Sequence, residues 1–298
     1  MNWTGVIPAM TTAFNKNLSI DHKFMARHAR WMVDAGCTGL VALGSLGEGA
    51  TLTFEDKAEI LKNLVAAVGN RVPIVAGVSA LSTAEGIRIA KMAGDQGCQG
   101  LMVLPPYVYA SDWREMKAHV SAVMKAAPKL SCMLYNNPPA YKTDFTAAHI
   151  AELAAEHKNL HAVKESSADV RRIAAIRALL GERLALLCGV DDMIVEGAQA
   201  GAQGWIAGLV NAFPRESVAL FEGARKGMTP ELFKLYAWFL PLLRLDVTIK
   251  FVQQIKLTQE LVGMGSARVR PPRLELVGEE LAYTRSVIET AIAARPAL

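Results

Sequence analysis

The chain has 298 residues and a formal net charge of +4, with 52% hydrophobic and 20% charged residues. That composition supplies a large core and excludes a disordered chain, and the small charge without a basic, aromatic-interleaved cluster argues against nucleic-acid binding. No uncharged apolar run reaches the roughly 18 residues of a membrane span, and MNWTGVIPAM lacks the pattern of a secretory signal, so neither is expected.

Short apolar runs alternate with amphipathic segments along most of the chain. Val6–Met10 is predicted as a strand, followed by a helix that Asp21 caps and Gly36 ends near Ala35. Gly39–Leu43 is a second strand. Thr53 and Asp56 then fit a capping box at the head of the next helix. Val72–Gly77 and Leu101–Leu104 are strands three and four, each followed by a helix, Ser82–Ala93 and Asp112–Ala126. Ser131–Tyr135 is strand five, with a helix over Thr146–Glu156. Leu160–Lys164, Leu184–Cys188 and Gly204–Ala207 are strands six to eight, with helices over Asp169–Leu180, Asp191–Ala200 and Pro214–Lys226. Eight strand–helix units over residues 1–226 match the size of a (β/α)₈ TIM barrel, a single α/β fold. Near-continuous apolar strands suit a parallel sheet covered on both faces. An open doubly wound sheet is the alternative, and the missing GxGxxG in the first βα turn speaks against it.

Residues 227–298 are mostly helical in pattern, and LFKLYAWFLPLLRL is rich in large apolar groups. Pro271 and Pro272 interrupt the run before a last helix near Val277–Ala294. With no flexible linker and no second core, this segment is expected to pack on the barrel as an appendage, not as an independent domain. The four dispersed cysteines, Cys37, Cys98, Cys132 and Cys188, have no CxxC or zinc spacing and read as reduced core thiols of a cytoplasmic protein.

Reactive groups of a barrel enzyme belong at the C-terminal ends of its strands. Lys164 ends the sixth strand, behind an apolar lead-in in LHAVKESS. Desolvation lowers an ammonium pKa, and a neutral amine is a nucleophile toward a carbonyl or imine. A structural lysine paired with Glu165 or Asp169 is the plain alternative. Tyr135 ends the fifth strand, where a phenol can carry protons as a carbinolamine forms and collapses. The loop Gly44-Ser45-Leu46-Gly47-Glu48-Gly49 after strand two can turn backbone N–H groups and the Ser45 hydroxyl toward a carboxylate, or can simply be a tight turn. After strand seven, Gly189 leaves room for substrate, while Asp191 and Asp192 fit helix caps. No metal site is expected there, because no further ligand is placed to complete one.

GSLGE after strand two, YNNP at strand five, VKESS at strand six and CGVDD at strand seven, in this order, resemble the dihydrodipicolinate synthase / N-acetylneuraminate lyase family. The resemblance spans the chain. It implies Lys164 as the Schiff-base lysine, Tyr135 as a proton relay, the Ser45–Leu46 loop as a carboxylate holder, no cofactor and a homotetramer. Ser45, Leu46, Gly189 and Ile206 make up the expected substrate-binding set, for a small 2-oxo or cyclic 2-imino carboxylate. The chain also departs from the synthases. Leu46 stands where the family has a second hydroxyl residue. Val108 takes the place of a tyrosine lent by a neighbouring subunit, and Ala140 falls near an arginine that binds the second substrate's carboxylate. YNNPPAYKTD, GSLGE and VRPPRLEL resemble instead the branch that deaminates Δ1-pyrroline-4-hydroxy-2-carboxylate in hydroxyproline breakdown. A dehydratase or aldolase of a 2-keto-3-deoxy sugar acid, a 4-hydroxy-tetrahydrodipicolinate synthase and a non-catalytic keto-acid-binding barrel remain the alternatives.

Overall fold

The computed structural model describes residues 1–106 and 109–298. Strands β1 (Gly5–Pro8), β2 (Leu40–Ala42), β3 (Ile74–Val78), β4 (Gly100–Val103), β5 (Ser131–Asn136), β6 (Leu160–Glu165), β7 (Ala185–Cys188) and β8 (Gly204–Ala207) form one sheet. All neighbouring pairs are parallel, β1 pairs with β8, and an Ala9–Val41 bridge joins β1 to β2 and closes the ring. The (β/α)₈ barrel is therefore realised, with its C-terminal helices.

The closed ring separates two cores. Alternation along each strand sends one set of side chains inward and the other outward. Ile7, Val41, Val75, Met102, Met133, Ala162, Leu187 and Ile206 fill the lumen, and Trp3 plugs its lower end, donating from Nε1 to Ser131 Oγ at 2.8 Å. The larger outer cluster lies between the strands and helices α1 (His22–Asp34), α2 (Phe54–Val68), α3 (Thr83–Asp95) and α4 (Trp113–Ala126), and continues under the later helices. Three of these four helices start where a short polar side chain takes up an otherwise unpaired N–H in extended backbone: Thr53 and Asp112 in capping boxes, Ser82 alone. At α1, Asp21 accepts from Phe24 N.

The second half repeats the pattern with two differences from the sequence expectation. A four-residue helix, α5 (Pro138–Tyr141), was not predicted; Asn137 caps it, and two prolines fill its first turn, where the absent N–H groups cost nothing. Helices α6 (Ala147–Glu156) and α7 (Arg171–Leu180) follow. The helix expected from Asp191 opens instead as a 3₁₀ turn over Asp191–Met193 and becomes α8 only at Ile194–Gln199. Asp191 does not cap it, because its carboxylate is committed elsewhere. Helix α9 (Pro214–Lys226) completes the last unit.

Helices α10 (Pro230–Leu243), α11 (Phe251–Leu261) and α12 (Gly278–Ala293) pack back onto the barrel. Trp238 in α10 donates to the Ala291 carbonyl in α12, and Tyr236 donates to the Asp192 carbonyl beyond β7. From α11, Gln259 accepts from Thr11 Oγ1, and Lys256 reaches the loop after β2. The appendage thus holds the loops after β1, β2 and β7 at the C-terminal mouth. No helix among the described residues is long and apolar enough to cross a membrane.

Candidate active site

Tyr135 and Lys164 are register partners across β5 and β6. Tyr135 has the parity of Met133, and Lys164 that of Ala162, so both point into the lumen at its C-terminal end. Lys164 is 7% exposed, and its Nζ lies 4.0 Å from the centroid of the Tyr135 ring. Burial draws the Lys164 pKa below the ordinary ammonium value, while the acidic groups around it, among them Tyr141, Asp246 and Asp191, oppose the shift. The structural pairing with Glu165 or Asp169 does not occur: Glu165 accepts from Asn136 and Ser167, and Asp169 binds Arg171. Tyr135 accepts from Asn137 Nδ2 at 2.8 Å. Burial raises its phenol pKa, and the hydrogen bond from Asn137 partly offsets this.

The loop after β2 is held from below. Glu48, in a left-handed conformation, is fully buried and accepts from Lys256 Nζ at 2.8 Å and from the Arg270 N–H at 2.9 Å. Thr12 Oγ1 donates to the Gly47 carbonyl. This clamp fixes Ser45, whose Oγ lies 2.5 Å from the hydroxyl of Tyr141. The Leu46 side chain goes the other way, buried in the outer core cluster, so what this residue turns toward the mouth is its backbone and not an apolar wall.

On the opposite rim, Gly189 admits the lysine itself. A Cβ there would stand 2.5 Å from Lys164 Cε and 2.0 Å from Ser166 Oγ. The space expected for substrate is therefore occupied by Lys164 and Ser166. Ser166 Oγ is buried there, close to Tyr135. Asp191, read from sequence as a helix cap, accepts instead from Trp205 Nε1 and from the N–H groups of Gly208 and Leu209. Burial raises its pKa to about 6 against these donors. Asp246, contributed by the appendage, lies against Gly208, where an added Cβ would meet its Oδ1 at 2.0 Å. Ile206 on β8 is buried in the inner cluster, as Tyr135 on β5 is.

Sequence reasoning missed Tyr141 and Asp246. Tyr141 stood in a segment without periodicity, and only the Asn-Pro-Pro start of α5 signalled an ordered turn. Asp246 lies outside the strand–helix rhythm altogether. The expectation for Val108 falls outside the described residues, and Ala140 is exposed on α5.

A buried amine packed on a phenol at the C-terminal mouth of a (β/α)₈ barrel is the layout of a Schiff-base-forming lyase. The model of the dihydrodipicolinate synthetase family matches residues 2–291. The chain belongs to that family of lyases. It is 33% identical to the 4-hydroxy-tetrahydrodipicolinate synthase of Exiguobacterium sp. (strain AT1b), with 92% of each chain covered. It is 30% identical to a probable 5-dehydro-4-deoxyglucarate dehydratase of Pseudarthrobacter chlorophenolicus, covering 96% of this chain and 94% of the relative. A crystal structure of dihydrodipicolinate synthase from Bacillus anthracis superimposes with a TM-score of 0.92 at 26% identity, over 97% of this chain and 99% of that one.

Proposed function

We propose that this enzyme deaminates Δ1-pyrroline-4-hydroxy-2-carboxylate to 2-oxoglutarate semialdehyde and ammonia through a Schiff base on Lys164. The observation that carries the choice of substrate is the uncharged side chain at residue 140. Residue 140 is an alanine and offers no cation, and the acids acting on Lys164 include Asp246 and Asp191, whose carboxyl pKa values burial raises. A second substrate carboxylate would find no cationic partner at residue 140, whereas an amine or a hydroxyl needs none.

The chemistry follows from those groups. Lys164 attacks C2 of the cyclic imine, and the C2–N bond to the ring nitrogen breaks, leaving a primary amine on C5 and the Schiff base on C2. That iminium is an electron sink, so a C3 proton is lost. The C4 hydroxyl then leaves as water, with a proton supplied by a site acid; Tyr135 is the nearest phenol. Shift of the double bond to C5 makes an imine, which water hydrolyses to aldehyde and ammonia. A second water frees the 2-oxo acid from Lys164, so one water is consumed overall. Ser45 and the backbone around Leu46 hold the substrate carboxylate, and Ile206 borders it. Exposed apolar side chains on the appendage, such as Ile249, Leu274 and Tyr283, support self-association, in line with a homotetramer. The buried free cysteines suit a reducing cytoplasm.

The second reading, favoured by the named dehydratase relative, is dehydration of a 2-keto-3-deoxy sugar acid. A panel decides: ammonia release from the pyrroline, dehydration of 5-dehydro-4-deoxyglucarate, and condensation of pyruvate with aspartate semialdehyde. The pyrroline should give a kcat/KM higher by at least about 100-fold, as expected for a pocket of matched polarity. A higher value for either rival would overturn the assignment.

A further inference from the structure

The geometry points to Tyr141 as a relay residue that connects the buried Lys164–Tyr135 pair to solvent within one protomer. This rests on the Schiff-base role of Lys164 but not on which substrate it takes. Lys164 and Tyr135 are 7% and 6% exposed, yet Schiff-base chemistry needs protons delivered and removed at several steps. Tyr141 is the half-exposed phenol beside them.

Contacts with Tyr135 and Ser45, and a turn capped by Asn137, hold it in place. Its ring meets the Tyr135 ring edge-on, with centroids 5.6 Å apart and planes at 81°. Its hydroxyl lies 2.5 Å from Ser45 Oγ. Asn137 controls both phenols: Oδ1 caps α5 by accepting from Ala140 N at 3.1 Å, and Nδ2 donates to the Tyr135 hydroxyl at 2.8 Å. One side chain thus fixes the turn that presents Tyr141 and the phenol it serves. Hydroxyls donate and accept at once, so a chain of them passes a proton without separating charge over a long distance.

The step balances as follows. Tyr135 gives its proton to the carbinolamine hydroxyl, the C–O bond breaks and water leaves, and the nitrogen lone pair forms the iminium. The Tyr135 phenolate takes a proton from the Tyr141 hydroxyl, and Tyr141 recovers one from solvent. Ser45 shares a hydrogen bond with the Tyr141 hydroxyl and orients it. The reverse sequence serves hydrolysis.

The test uses pyruvate, so that it does not depend on the natural substrate. Exchange of pyruvate C3 hydrogens in D₂O is followed by NMR for the wild-type enzyme, Tyr141→Phe and Ser45→Ala, with borohydride trapping as a separate readout. Phe keeps the ring packing, and thermal unfolding checks the fold. Tyr141→Phe should slow exchange by about 100-fold, in the range of general acid–base catalysis. It should also flatten the pH profile of exchange while still giving a complete Lys164 adduct at long times. Ser45→Ala should slow exchange less. Wild-type exchange with an unchanged rate and pH profile in Tyr141→Phe would overturn the relay alone. Absence of both exchange and adduct in the wild-type enzyme would overturn the Schiff-base reading, and the relay with it.

Discussion

The proposed reactivity of Lys164 rests on contacts that single atoms can disturb. Gly189 passes so close to the lysine stem that one methyl group would displace it. Gly189→Ala is expected to leave the barrel folded but move the amine, slowing adduct formation with pyruvate by about 100-fold, as small misplacements of reacting groups do. Trapping rates beside an unchanged circular dichroism spectrum check this; a wild-type rate would contradict it. The pH dependence has a definite sign. Only the neutral amine attacks, and burial lowers the Lys164 pKa, so the rate of adduct formation should rise with pH and level off below the 10.5 of an ordinary lysine. A rate still climbing at pH 10.5 would contradict the desolvated amine. At this scale the sequence pointed to Lys164, Tyr135 and Ser45 as candidates, because they follow or end barrel strands, and the fold brings them to one mouth. It did not disclose that Gly189 clears space for the lysine, or that Leu46 turns its side chain outward, since both depend on how loops close over the mouth. Tyr141 was hidden because a one-turn helix has no periodicity to read.

Among the elements, α11 is the one whose burial is hardest to foresee. Lys256 and Glu48 are 2% and 0% exposed and bonded to each other, and Thr12 and Arg270 satisfy their remaining positions. A buried pair of this kind adds little net stability over an apolar pair, but breaking it strands a charge. Lys256→Met should therefore cost about 3–5 kcal/mol in urea unfolding. The double variant Lys256→Met, Glu48→Gln should recover part of that loss. A single variant within about 1 kcal/mol of the wild type would show that the clamp is not needed for stability. The strand–helix alternation and the caps at Thr53, Ser82 and Asp112 were legible because each is a local pattern. The start of α8 was not, because Asp191 is drawn to the N–H groups after β8, a contact between units that no local pattern encodes.

For the whole molecule, the eight-fold rhythm and four strand-end motifs were enough to reach the barrel and its family. They could not identify the substrate, because some groups at the mouth come from outside that rhythm: Tyr141 from a one-turn helix and Asp246 from the appendage. The account stands on Lys164 forming a covalent imine at the mouth of this barrel. Incubation with pyruvate, reduction with borohydride and peptide mass mapping test that most directly. The mass of a reduced pyruvyl adduct is predicted on the peptide containing Lys164 and should be absent from Lys164→Met. Folded wild-type enzyme that carries no adduct, or carries it on another lysine, would contradict the mechanism.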